Sequence, residues 1–196
     1  MALSRFYLHH RYSDDLDFFD HDLALFPDAF RLVYRKLVER WPEVSVEVDA
    51  RGFKRIYIRH EKTPLKLDFV ADRVSRIGLP VVRDGMYIDT VRNILSNKLS
   101  AILGRDEGRD IADMLYISMS YRFSWKTILA ELAQKEGFKI EDLLFRLETF
   151  PVEILETIPF ISRKPPKEYA DALSLVVHDI GVQADNSLAE QLAPDL

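Results

Sequence analysis

Cysteine is absent from the 196 residues, which excludes disulfides, thiolate zinc sites and cysteine nucleophiles. Glycine is scarce, with seven in the chain and none before Gly52, so the N-terminal segment has no turn built on a missing side chain. No run approaches the ~18 apolar residues that a membrane span requires. The short apolar N-terminal turn is broken by Arg5, His9, His10 and Arg11 and lacks a signal-peptide pattern. A cytoplasmic location, away from membranes, is the expectation. An overall positive field is also missing: the formal net charge is −5, so a nucleic-acid partner would have to be met by a local patch. What remains, 47% hydrophobic and 30% charged residues, is ordinary for a soluble globular protein. The length suits one large domain or two small ones.

Hydrophobic periodicity organises the chain. Leu3, Phe6 and Tyr7 have helical spacing. Pro27 stands in the first turn of a helix whose Phe30, Val33, Tyr34, Leu37, Val38 and Trp41 form one apolar stripe, and Pro42 stops it. Val44, Val46 and Val48 alternate with polar residues, Arg51-Gly52 turns the chain, and Ile56 and Ile58 alternate in the return strand, so a hairpin is predicted. Leu65, Leu67 and Phe69 mark another strand, followed by a looser segment with Gly78, Pro80 and Gly85.

From Asp89 the period becomes helical. It predicts one helix through Val91, Ile94, Leu95, Leu99 and Ile102, a second through Ile111, Met114, Leu115 and Ile117, and two more over about 125–135 and 141–150. Asp89-Thr90 and Ser124 are credible N-caps. Arg163-Lys164-Pro165-Pro166-Lys167 reads as a polar break, and the last ten or so residues are expected to fray. The fold class is α+β: a small mixed or antiparallel sheet flanked by helices in residues 1–86, then a helical region in 87–196, with a cleft expected between them.

The stretch from Arg11 to Phe19, Arg-Tyr-Ser-Asp-Asp-Leu-Asp-Phe-Phe, carries the chemistry. Asp15 and Asp17 alternate with apolar residues, so on a strand they project from one face about 6.6 Å apart. Two such carboxylates can clamp Mg²⁺ for phosphoryl or nucleotidyl transfer. They also repel one another by roughly 3 kcal/mol at an effective dielectric of 20, and something must neutralise them. A divalent cation would do so; an edge strand with a wet acidic outer face is the plainer alternative. Asp68 sits in a later strand, Lys66-Leu67-Asp68-Phe69-Val70. If that strand pairs beside the first, three acids converge on one face. An exposed hairpin acid is the alternative there.

Acid, acid and then a third acid on a later strand is the pattern of the DNA polymerase beta-like nucleotidyltransferase superfamily. Within it, residues 2–19 resemble the first motif of the AbiEii toxin-like nucleotidyltransferases. Asn97-Lys98-Leu99-Ser100-Ala101-Ile102-Leu103-Gly104-Arg105 resembles that family's lysine-bearing helix, and Arg109-Asp110-Ile111-Ala112-Asp113-Met114-Leu115 its Arg-Asp-x-x-Asp-Leu helix. The resemblance implies a nucleotidyltransferase sheet in which Asp15, Asp17 and Asp68 bind Mg²⁺, or Mn²⁺, with Asp68 also helping to activate the attacking hydroxyl. Lys98 would bring positive charge to the triphosphate of a bound NTP; a lysine snorkelling from an amphipathic helix is the alternative. Asp110 would act as a base or orient Lys98, with Asp113 on the same helix face; ion pairs with Arg105 and Arg109 are the plainer reading of both. Arg11 and Ser13 flank the acidic strand and could hold its register or reach phosphate. His9 and His10 read as helix-end surface residues, and Arg51, Lys54, Arg55 and Arg59 could meet an RNA backbone.

The family's first motif ordinarily begins Gly-Gly-Thr or Gly-Gly-Ser, a turn that lets backbone N–H groups approach phosphate. That half is missing, and Met1 stands where Thr or Ser is usual. The expectation is either a true start upstream of Met1 or a shortened chain with crippled catalysis. The resemblance therefore implies a toxin of a toxin–antitoxin or phage-defence pair. It would move a nucleoside monophosphate from an NTP to a hydroxyl of tRNA, another nucleic acid or a protein, and would have a cognate antitoxin. A catalytically silent domain that binds a partner protein is the alternative.

Overall fold

The computed structural model describes residues 2–60, 63–162, 164 and 166–196, leaving aside the side chains of His60 and Pro166. These residues form two compact units: 13–74, and 2–12 together with 75–196. The helical unit thus takes in residues 2–12 and 75–86, which the sequence pattern alone had grouped with the sheet.

The first unit contains β1 (Asp15–Asp20), α1 (Phe26–Arg40), β2 (Val44–Ala50), β3 (Phe53–His60) and β4 (Thr63–Ala71). The sheet order is β1-β4-β3-β2. β1 runs parallel to β4, while the β2–β3 and β3–β4 pairs are antiparallel, with a bulge between Val46 and Val48. Alternation decides the faces. Leu67, Phe69, Ile56 and Ile58 are buried with Phe26, and Leu16, Phe30, Tyr34, Leu37 and Trp41 pack against them. Each fully buried apolar side chain of this kind stabilises by about 1.5–3 kcal/mol. Val33 and Val38, expected in the α1 stripe, are exposed instead; the packed stripe runs through Phe26, Phe30, Tyr34 and Leu37 and turns them outward. The opposite face of the sheet carries Asp15, Asp17, Lys66, Asp68 and Arg55.

In the second unit a wide helical turn, Ser4–Leu8, ends at His9 in the left-handed region (φ 49°). β5 (Val81–Arg83) and β6 (Met86–Ile88) form a hairpin in the segment read as loose. Its two turn residues, Asp84 and Gly85, have φ of 51° and 76°, the geometry of a two-residue hairpin turn and favourable to glycine. Four helices fall where the periodicity predicts them: α2 (Val91–Gly104), α3 (Gly108–Ser120), α4 (Trp125–Lys135) and α5 (Ile140–Glu148). Thr90 caps α2 by accepting from the Asn93 amide. Ser124 occupies the α4 N-cap position without a side-chain cap bond.

α3 is buried on nearly every side, with Ile111, Ala112, Met114, Leu115 and Ile117 all in the core. At its start, a Cβ added to Gly108 would meet Ile154 Cγ2 at 2.7 Å, so a glycine admits that side chain. A sixth helix, α6 (Pro166–Gly181), was not expected. Tyr169, Ala172, Leu173, Val176 and Ile180 bury its stripe, and Pro166 stands at its first position; of the break expected over 163–167, Arg163 and Pro165 lie outside the described residues. The C-terminal residues do not fray as expected. Arg122 N–H donates to the Pro194 carbonyl and Leu196 N–H to the Arg122 carbonyl, while buried Asn186 donates its amide to the Ser118 and Tyr121 carbonyls. Among the described residues no helix is long and apolar enough to cross a membrane.

Candidate functional site

Strand register assembles the acids of the first unit. Asp17 pairs with Asp68 and Asp15 with Lys66 across the parallel β1–β4 ladder, and Arg55 pairs with Asp68 across β3–β4. The convergence of Asp15, Asp17 and Asp68 on one face follows from that register.

The charge balance is supplied from the same face. Lys66 Nζ lies 3.0 Å from Asp15 Oδ2 and 3.9 Å from Asp68 Oδ2. Arg55 donates twice to Asp68, Nε to Oδ1 at 2.7 Å and Nη2 to Oδ2 at 2.8 Å. Ser13 Oγ donates to Asp15 Oδ1 at 3.2 Å. Desolvation works against the charged form of Asp15, but the Lys66 hydrogen bond and charge outweigh it and lower its pKa. The Asp15 hydrogen bond in turn raises that of Lys66, and the Asp68 hydrogen bond raises that of Arg55. Asp17 goes the other way: desolvation first, then repulsion from Asp15 and Asp68, raises its pKa. Sequence reasoning missed Lys66. Its signal was available, because a residue two before Asp68 on a strand must share the Asp68 face.

Three hard carboxylates are a donor set suited to Mg²⁺, yet their arrangement does not hold one. Among the described residues, no three acidic or histidine side chains are grouped closely enough to bind a metal. Both oxygens of Asp68 accept from Arg55, and Asp15 is engaged by Lys66.

The second unit holds a buried network on α2, α3 and the N-terminal segment. Lys98 Nζ reaches Asp110 Oδ1 at 2.8 Å and Asp113 Oδ2 at 2.6 Å. Arg105 pairs with Asp110 at 2.9 Å, the ion pair expected for that acid. Asp113 is held from the N-terminal segment as well. Arg11 grips it with Nε at 2.7 Å and Nη2 at 2.9 Å, and His10 Nε2 lies 2.8 Å from Oδ1. His10 is therefore buried, not on the surface, and its ring packs 4.8 Å from Tyr116. Desolvation opposes the charged Asp113, but hydrogen bonds from Arg11 and His10 and the Lys98 charge hold its carboxyl far below the usual range. Burial would lower the Lys98 pKa; the Asp113 and Asp110 carboxylates overcome it and raise it.

Other candidates are placed plainly. Lys54 pairs with Asp49 and lies over the Phe30 ring, and Arg55 is committed to Asp68 and, at 3.8 Å, Glu47. Two of the four basic hairpin residues are thus tied within the sheet unit.

Two known structures share the fold. A candidate nucleotidyltransferase from Helicobacter pylori aligns with a TM-score of 0.60 at 21% identity, covering 91% of this chain and 82% of that one. The H. pylori protein JHP933 aligns with a TM-score of 0.58 at 21% identity, covering 91% and 80%. The fold is that of nucleotidyltransferases. A family model, nucleotidyl transferase AbiEii toxin of type IV toxin–antitoxin systems, matches residues 1–179. The chain belongs to the AbiEii nucleotidyltransferase toxin family. Comparison with curated proteins gives no match.

Proposed function

We propose that this chain transfers a nucleoside monophosphate from an NTP to a hydroxyl, with an RNA end such as that of tRNA as acceptor. It would act as the cytoplasmic toxin of a toxin–antitoxin or phage-defence pair, opposed by a cognate antitoxin. The observation that supports this reading is the register pairing Asp17 with Asp68, which sets Asp15, Asp17 and Asp68 on one sheet face. Asp15, Asp17 and Asp68 are the residues that would hold Mg²⁺ or Mn²⁺ once Lys66 and Arg55 give way. A bound divalent ion would neutralise phosphate charge there. In the helical unit, Lys98 offers an ammonium to a triphosphate and Asp110 orients it, a role supported by their 2.8 Å contact. Ser13 supports Asp15 from the strand's entry. Nucleotidyl transfer asks little of a protein beyond positioning and charge stabilisation, which suits so small a set of groups.

A catalytically silent, partner-binding domain is the second reading. It is favoured by the acids being matched with Lys66 and Arg55 and by Arg11 being committed to Asp113. Incubation with labelled NTPs, Mg²⁺ and total RNA separates the two. Label transfer that is lost in Asp15→Ala/Asp17→Ala supports the enzyme; transfer that survives that double substitution refutes the acidic face as the site. No transfer with any NTP favours the silent domain.

A further inference from the structure

Alternation gives β3 one face of particular composition. Phe53, Arg55, Tyr57 and Arg59 project from the side opposite the buried Ile56 and Ile58, so aromatic and cationic side chains alternate along the strand about 6.6 Å apart. The register sets a third ring beside them. Phe19 pairs with Val70 and Val70 with Phe53, an apolar row across β1, β4 and β3 that lies next to the row of Asp17, Asp68 and Arg55. Core packing does not account for these rings. Phe18 stacks on Phe69 on the core side, whereas Phe19 is 52% exposed, and the Arg55 guanidinium lies over the Phe53 ring, 5.3 Å from its centroid. Arg59 at the far end of the strand and Arg51 in the turn before it are exposed.

We infer that this face of β3 binds single-stranded RNA, with bases stacking on Phe19, Phe53 and Tyr57 and phosphates meeting Arg51 and Arg59. The inference deepens the proposed reading of an RNA acceptor and rests on it. Rings on a sheet face offer flat surfaces to unpaired bases, and arginines interleaved with them meet the charge of the backbone. A protein partner burying apolar side chains would gain little from a cation at every second position. The distance from Phe53 to Arg59, about 20 Å along the strand, exceeds a single nucleotide. With a formal net charge of −5, a local track of this kind is how the chain can meet a polyanion. A strand of RNA along β3 passes one strand from Asp68 and two from Asp15 and Asp17.

Fluorescence anisotropy of a labelled single-stranded RNA of mixed sequence, titrated with the full chain in EDTA, tests this apart from catalysis. Phe19→Ala and Phe53→Ala should each weaken binding about tenfold. Phe19→Trp should keep the affinity and report stacking as RNA-dependent quenching beyond that of the parent, whose own tryptophans are Trp41 and Trp125. Arg59→Ala should make the fall of log K with log salt shallower by about 0.7. Phe19 is half exposed, so its variants decide the matter should Phe53→Ala perturb the sheet. Binding that is unmoved in Phe19→Ala, or that brings no added quenching in Phe19→Trp, overturns the stacking face. No binding by the parent at roughly 100 µM overturns it too. Transfer of labelled nucleotide to RNA by that same parent would then leave the acceptor reading standing, and its absence would remove that reading as well.

Discussion

The acidic face of the sheet and the ion-pair network around α3 use the same functional groups at different depths. Asp113 is 1% exposed and meets Arg11, His10 and Lys98 inside the helical unit. Asp68 is 9% exposed and meets an Arg55 whose side chain is 31% exposed. Depth sets what each array can do. Buried charges held by several partners are costly to separate and fix the packing of the segments that carry them; here they tie residues 10 and 11 to α3. Pairs nearer the surface exchange partners with water and ions at modest cost, which is what a site that must admit a charged ligand requires.

The largest expected effect lies at the buried end. Asp113→Ala leaves Arg11 and Lys98 without their shared carboxylate and should destabilise the protein by about 3–5 kcal/mol, measured by urea unfolding. A loss below about 1 kcal/mol would collapse the distinction between the two arrays. The same residue predicts a pH dependence. Its folded pKa is depressed, so the unfolded state takes up the proton first as pH falls. The stability it contributes is complete above the ordinary carboxylate range and is lost progressively as pH drops through about 4 and toward the lower folded value. In Asp113→Asn that part of the acid limb should flatten, even though the variant is weaker at neutral pH. An acid limb unchanged from the parent would show that other carboxylates carry it.

The two arrays also differ in how far they could be read from sequence. The acidic face was legible because strand alternation is local: Asp15 with Asp17, and Asp68 among Leu67 and Phe69, are visible in short windows, and only the pairing of β1 with β4 needed the fold. Lys66 was legible by the same rule and was passed over because a lysine on a strand is usually solvated. The Lys98–Asp110 pair lay within two helix motifs. The grip of His10 and Arg11 on Asp113 was not legible, since it joins residues about a hundred positions apart and depends on the N-terminal segment docking on the helical unit. α6 failed for another reason: Pro166 read as punctuation and masked the stripe from Tyr169 to Ile180 that follows it.

An intermediate effect is expected at Asp68. Asp68→Asn weakens the two-point pair with Arg55. Because Arg55 is partly in solvent, the cost should be about 1–2 kcal/mol rather than the buried figure. A double-mutant cycle with Arg55→Ala should recover a coupling of about 1 kcal/mol that shrinks in high salt. Coupling as large as that of a buried pair, and insensitive to salt, would make the acidic face a structural network like the one on α3. If the face is functional, NTP transfer falls at least about a hundredfold in Asp68→Asn while the fold persists, so activity and stability separate there. In the buried array they fall together.

The smallest effect has the opposite sign. Asp17 is raised by desolvation and by its acidic neighbours, so the folded state holds its proton more tightly than the unfolded chain does. Its charge therefore opposes folding once pH rises through the folded pKa, and the penalty is relieved as pH falls. Asp17→Asn should remove it and stabilise the protein at neutral pH. The side chain lies on the exposed part of the strand, so the gain should be no more than about 0.5 kcal/mol, read as a small rise in Tm. A residue whose removal helps the fold while abolishing label transfer is kept for chemistry. If Asp17→Asn lowers Tm instead, the carboxylate is serving the sheet, and the contrast between a functional face and a structural network loses its sharpest point.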